Sequence, residues 1–171
     1  QVVELRALGV RYGELETPFC GFYDAEHRQK MIQDALGITV TAQSVCFTLN
    51  PLNREVLGRR CNCISVAKHG ESTHGRDVLR RRWLLIDADP VRPGDCSATD
   101  AEKRSARDFA LSVRKSLSTS GWPEPVLANS GNGYHLLYRI ELPTEDEGLV
   151  ARVLQALAAR FDTAAVRIDP Q

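Results

Sequence analysis

The chain has 171 residues and a formal charge of zero, with 22 Lys and Arg against 22 Asp and Glu. Its 43% apolar and 26% charged content is that of an ordinary folded protein and excludes wholesale disorder, and a chain of this length buries roughly 70% of its unfolded surface without disulfide or metal staples. No apolar run approaches the ~20 residues of a membrane span, no basic-then-apolar leader opens the sequence, and five irregularly spaced cysteines suit reduced thiols in a cytoplasmic setting.

In chain order, Val2 to Leu8 alternates loosely between apolar and charged residues and predicts a strand. Phe19 to Tyr23 predicts a second, followed by a helix from about Asp24 to Leu36 that stops at Gly37. Ser44 to Leu49 has the composition of a buried strand, closed by Asn50 and Pro51. Arg59 to Gly75 has few apolar residues and predicts a loop. Between Arg54 and Arg82 eight basic residues face three acidic ones, whereas Glu141 to Glu147 is acidic, so charge is segregated although it sums to zero. That excludes coating of nucleic acid by bulk charge but leaves room for a local basic groove.

Trp83 to Ile86 is a continuous apolar run, the pattern of a central strand covered on both faces. Pro90 to Gly94 breaks it, and Ser97 to Thr99 offers N-caps for a helix to about Ser118 with a core stripe of Ala106, Phe109, Ala110, Val113 and Leu117. Val126 to Ala128 and Tyr134 to Ile140 are two strands joined by a Gly-rich turn. Thr144 and Glu147 read as a capping box for a helix that buries Leu149, Val150, Val153, Leu154, Leu157 and Phe161. Ala164 to Ile168 starts a last strand. The expected class is mixed α/β (α+β).

Four groups of residues carry chemistry. Asp87 and Asp89 end the apolar run; in a strand they point the same way, ~6–7 Å apart, and repel unless a cation lies between them. Mg²⁺ is commonly held by one or two carboxylates plus substrate phosphates. The alternative is that they begin a loop, with Asp89-Pro90 as a turn signal. Ser130-Gly131-Asn132-Gly133-Tyr134-His135 is either an anion cradle with a histidine donor beside it or a plain hairpin. Asp169 repeats the pattern of an acid at the end of an apolar strand. Cys61, Cys63, His69 and His74 are four soft ligands within fourteen residues, but the Cys-x-Cys gap is tighter than zinc sites use, so free thiols in a surface loop are preferred to zinc. Cys20, Cys46 and Cys96 are expected to be small apolar side chains.

Taken together, Arg80 to Pro90 (RRRWLLIDADP), Ser130 to Leu136 (SGNGYHL) and Ile168-Asp169 resemble, in order and separation, the three motifs of the archaeo-eukaryotic primase superfamily. The branch resembled is the primase-polymerases of viruses, plasmids and other mobile elements, and the resemblance covers nearly the whole chain. It implies a primase catalytic core: an RRM-like sheet with flanking helices over about 79–171, and an N-terminal αβ portion over about 1–78. It further implies that Asp87, Asp89 and Asp169 hold two Mg²⁺ or Mn²⁺ ions. His135, with Ser130, Gly131, Asn132 and Gly133, would hold the triphosphate of an NTP or dNTP, and Arg81 and Arg82 would lie near nucleotide or template phosphates. The implied partners are a single-stranded DNA template, a primer, and helicase or other replication proteins of the element.

The sequence departs from the pattern at Gly133, where the family has serine, and in ending at Gln171 directly after the third motif, as a truncated core would. A metal-dependent nicking initiator would want a tyrosine nucleophile or a histidine cluster near the acids, which Tyr134 and His135 do not form. A non-catalytic nucleic-acid or nucleotide-binding module of the same fold is the other alternative, and retention of all three acids with His135 weighs against it.

Overall fold

The computed structural model describes residues 1–12, 15–93 and 96–170. It is mixed α+β, with eight strands in two four-stranded sheets and three α-helices among the described residues. The chain divides into two compact units, Gln1–Arg82 and Trp83–Gln171. Among the described residues, no helix is long and apolar enough to cross a membrane.

In the first unit, β1 (Val3–Tyr12) pairs antiparallel with β2 (Leu15–Tyr23) and with β3 (Ser44–Phe47), and β4 (Ser65–Val66) pairs with β2, giving the order β3-β1-β2-β4. A small core joins Val2, Phe22, Leu52 and Val56. Two expectations change here. Ser44 to Leu49 is not buried: β3 is the sheet's edge, and Phe47 is 58% exposed. The first helix does not run from Asp24 to Gly37. Asp24 instead caps a 3-10 turn over Ala25–His27, and α1 (Arg28–Thr39) runs through Gly37. Gly37 keeps ordinary helical geometry because glycine stops a helix only where the chain needs a left-handed residue.

The loop of the first unit is held by charge rather than by apolar burial. Asp77 accepts two 2.7 Å hydrogen bonds from the Arg59 guanidinium and one of 2.8 Å from the His74 amide. These hold its carboxyl at about 2, well under the ordinary carboxylate range, the Arg59 bonds being the largest cause. Glu4, buried in β1, accepts 3.3 and 2.9 Å bonds from Arg6 and a 3.1 Å bond from the Thr73 amide, which ties the loop to the sheet.

In the second unit, β5 (Arg81–Pro90, its first two residues belonging to the first unit), α2 (Asp100–Thr119), β6 (Val126–Asn129), β7 (Tyr134–Leu142), α3 (Leu149–Phe161) and β8 (Val166–Ile168) follow one another. The sheet order is β6-β7-β5-β8. This is the β-α-β-β-α-β connectivity of two interleaved split β-α-β units. Thr99 and Glu102 form a reciprocal capping box at the start of α2, which buries Ala106, Ala110, Val113 and Leu117. Leu84, Ile86 and Ala88 of β5, Leu136 and Tyr138 of β7, Val166 and Ile168 of β8, and Leu154 and Leu157 of α3 complete that core. Phe109 packs at its margin.

The expectation that the WLLI run is covered on both faces is corrected: Leu84 and Ile86 are buried, whereas Trp83 and Leu85 are half-buried, so the strand alternates. The expected break begins only after Pro90, which ends β5 opposite Val166; Gly94, like Gln171, lies outside the described residues. Thr144 and Glu147 make no capping box. Glu147 and Gly148 both take positive φ, so the chain turns before α3, and Asp146 accepts from the Gly148 and Val150 amides in place of that box.

Asp77→Asn, which keeps the shape and removes the charge, is expected to lower the unfolding free energy at neutral pH by about 2 kcal/mol, read as a fall in the urea midpoint. The folded pKa of Asp77 lies below its ordinary 3.8. The contribution is therefore complete above about pH 4 and is lost as pH falls toward about 2, so the gap between wild type and variant closes over that window. A gap that does not change with pH would mean that the charge pair contributes nothing.

Candidate functional site

Strand parity builds the site. In β5 the even residues Leu84, Ile86, Ala88 and Pro90 are buried and the odd residues are half-exposed. A strand sends successive side chains to opposite faces, so Asp87 and Asp89 share the face away from the helices. Both lie inside the strand, which removes the alternative that they begin a loop. In β7 the buried Leu136 and Tyr138 put His135 on the same open face. In β8, Ala88 pairs with Ile168 and Asp89 with Arg167, and the Asp169 amide donates a 3.1 Å bond to the Asp87 carbonyl. Asp169, just past β8, thus stands beside Asp87, and Ala128 of β6 stands beside His135. One row across the sheet reads Asp169, Asp87, His135, Ala128.

His135 Nε2 lies 3.3 Å from Asp87 Oδ1, with the side chains 28% and 25% exposed. The contact has the distance of an ion pair but not the alignment of a hydrogen bond, and among the described residues Asp87 Oδ1, a buried oxygen, has no hydrogen-bond partner. Asp87 raises the His135 pKa above its ordinary 6.5, outweighing burial, which lowers it. Burial and then the Asp87 charge push the Asp89 carboxyl up, Asp169 adds to this, and Arg92 and His135 oppose it. The site therefore concentrates negative charge that its own cations only partly offset. Arg167, the exposed residue paired with Asp89, was not singled out from sequence, although its alternation between Val166 and Ile168 places it on this face.

The Gly-rich turn is a tight support more than an open cradle. The Gly131 amide donates to Asn129 Oδ1 at 2.8 Å and the Gly133 amide to Ser130 Oγ at 2.9 Å, so two of its amides are already used. The Asn132 side chain accepts from the Ala98 amide at 3.0 Å and fastens the turn to the segment before α2. Ser130, Gly131, Asn132 and Gly133 are thus gathered next to the carboxylates, with much of their hydrogen-bonding capacity spent on holding the turn. Gly133 is buried, and a Cβ there would fall 2.3 Å from Asp89 Oδ1 and 2.4 Å from the Ala88 carbonyl oxygen. No residue with a side chain fits without moving β5 or the carboxylate. That is the physical reason for glycine at a position where serine was expected.

Arg81 and Arg82 open β5 six and five residues before Asp87, which a rise of about 3.3 Å per residue spreads over about 16–20 Å. The Arg82 amide donates to Asn50 Oδ1 at 2.7 Å. Cys61, Cys63, His69 and His74 are all exposed, and His74 Nε2 lies 3.2 Å from the Gly70 carbonyl. Among the described residues, no three His, Cys, Asp or Glu side chains converge closely enough to hold a metal ion by themselves, at this loop or at the carboxylates. Of the cysteines expected to be buried, Cys20 is, whereas Cys46 and Cys96 are exposed, Cys46 because it sits on the edge strand β3.

Gly133→Ala is expected to destabilise the second unit by about 1–3 kcal/mol through overpacking against Asp89 and Ala88. Gly131→Ala has open space around it and only the strain of φ 100°, a cost of about 1 kcal/mol. Urea unfolding of the two variants side by side checks this ordering, and a Gly133→Ala protein as stable as wild type would show that the close fit is absent.

No family model, curated protein or solved structure matches the chain.

Proposed function

We propose that the chain is the catalytic core of a template-directed nucleotidyltransferase of the primase-polymerase kind, joining nucleoside triphosphates to a 3′-hydroxyl on single-stranded DNA. The observation that carries this reading is the placement of Asp87, Asp89, Asp169 and His135 on one open sheet face whose reverse packs on the helices.

The residues fit divalent metal. Asp87 Oδ1 is buried without a hydrogen bond, Asp89 is crowded by the Asp87 charge, and all three acids offer hard oxygen ligands. Asp87 and Asp89, with Asp169 beside them, would hold Mg²⁺ or Mn²⁺ together with the phosphates of the substrate. When bound, such ions lower the pKa of an attacking hydroxyl and offset charge on the departing pyrophosphate.

The protein's own part is positioning. His135, one strand from Asp87, holds its ring against that carboxylate, where it would donate a hydrogen bond to a phosphate oxygen of the substrate. The turn from Asn129 to Gly133 fixes the start of β7 and hence the ring. Gly133 leaves the room that Asp89 fills. Arg167, the exposed residue in register with Asp89 on β8, adds a basic residue to the same face. In the transfer the 3′-hydroxyl loses its proton to solvent, its oxygen bonds to the α-phosphorus, the bond from that phosphorus to the bridging oxygen breaks, and pyrophosphate leaves. A protein that only binds nucleic acid has no use for three acids facing one way, since they repel a phosphate chain in the absence of metal.

The test is incorporation of labelled nucleotide on a single-stranded DNA template, with and without primer, in Mn²⁺, Mg²⁺ and EDTA. Metal-dependent product is expected from wild type. Asp87→Ala/Asp89→Ala is expected to lose at least about 100-fold, and His135→Ala about 10- to 100-fold, in proportion to the loss of a single positioned donor. Product that survives in the double variant, or no product under any condition, would overturn the reading.

A further inference from the structure

The open face extends beyond the carboxylates. Across β5 and β7, His135 meets Asp87 and Arg139 meets Trp83, with Leu85 and Leu137 on the same face by strand alternation. At that far end the Arg139 guanidinium carbon lies 5.4 Å from the centre of the Trp83 ring, a cation–π contact. Arg139 is exposed, Trp83, Leu85 and Leu137 are half-buried, and Val126, paired with Leu137 on β6, is exposed. Four residues of strand put the pair about 13 Å from Asp87. The face thus passes from acids, through an apolar saddle, to an aromatic ring carrying a planar cation. Glu141, the next outward residue of β7, is acidic and bounds the path.

We propose that Arg139, held over Trp83, is a contact site for single-stranded nucleic acid lying along this sheet face, stacking on a base and meeting the adjoining phosphate. The inference rests on the nucleotidyl-transfer reading of the same face and names where its template strand is held. The chemistry suits a strand of arbitrary sequence. Every base has a π-face, so stacking on an aromatic ring or a guanidinium plane does not read sequence. The chain has no net charge to attract a polyanion, so retention of the strand has to come from local contacts. A guanidinium already seated on a ring is weakly hydrated and ordered before the ligand arrives. Leu85, Leu137 and Val126 offer apolar surface for the sugar and base edges between the two ends.

The test is fluorescence anisotropy of a labelled oligothymidylate in EDTA, with wild type, Arg139→Ala, Arg139→Lys, Trp83→Phe and Asp87→Ala/Asp89→Ala. Arg139→Ala is expected to weaken binding about tenfold, the size of one lost stacking contact. Arg139→Lys keeps the charge but not the plane and should recover less than half of that loss on a logarithmic scale. Trp83→Phe keeps a ring and should bind within about threefold of wild type, because the cation–π seat survives. The double Asp variant is expected to bind the oligonucleotide while failing to incorporate nucleotide, which separates failure of this inference from failure of the catalytic reading. Unchanged affinity in Arg139→Ala, or full recovery in Arg139→Lys, would overturn it. So would a loss confined to binding of free dNTP in Mn²⁺, which would assign the pair to the incoming nucleotide. Arg139 is exposed, so its variants should keep the wild-type melting temperature, and that measurement accompanies the titration.

Discussion

Everything at this site depends on the parity of β5. Leu84, Ile86 and Ala88 are buried against α2, α3 and their neighbours in the sheet, and that burial fixes which way the strand faces. A slip of one residue would send Asp87 and Asp89 into the helical core, and unpaired carboxylates there cost far more than the apolar contacts return. The hydrophobic half of the strand therefore sets the chemistry of the other half. The same logic holds for Val166 and Ile168 in β8, which turn Arg167 outward, and for Leu136 and Tyr138 in β7, which turn His135 outward. Three strands, each oriented by its own buried residues, place four ionisable groups on one surface.

That surface is under electrostatic stress. Two carboxylates ~6–7 Å apart repel by roughly 2–3 kcal/mol at an effective dielectric constant near 20. The protein tolerates this through partial compensation. His135 stands against Asp87, and the Arg92 and His135 charges favour the ionised form of Asp89. None of these closes on the acids as Arg59 closes on Asp77 in the first unit, with two short parallel bonds. The contrast is informative. Asp77 has both carboxylate oxygens bonded to Arg59, whereas on the open face Asp87 Oδ1 has no hydrogen bond among the described residues.

How far this was legible in the sequence follows from how local each signal is. The start of α2 was legible because Thr99 and Glu102 are three residues apart and satisfy each other. The shared face of Asp87 and Asp89 was legible because strand alternation is local, although their spacing alone also allowed the start of a loop. Edge position was not legible. Ser44 to Phe47 has the composition of a buried strand, yet only pairing with β1, more than thirty residues earlier in the chain, decides that it lies at a rim. The Thr144 and Glu147 pattern failed for the opposite reason: a competing local solution, the Asp146 carboxylate over a turn with two positive φ angles, took its place. Trp83 and Arg139 are 56 positions apart, and their contact exists only because β7 is inserted next to β5 rather than beside its own predecessor alone.

The turn before His135 shows how steric and chemical demands meet at one residue. A glycine-rich sequence suggests amides offered to phosphate, but here Gly131 and Gly133 give theirs to Asn129 and Ser130, and Asn132 is tied to the Ala98 amide. The turn is therefore already satisfied, and a phosphate would have to break internal bonds to use it. What it provides instead is space and rigidity. At Gly133 the volume that a side chain would occupy holds the Asp89 carboxylate and the Ala88 carbonyl, so a larger residue there would require β5 or the carboxylate to shift. If phosphates are held at this face, the donors are side chains, His135 foremost, and the glycine is what lets an acid and an imidazole stand on adjacent strands without colliding.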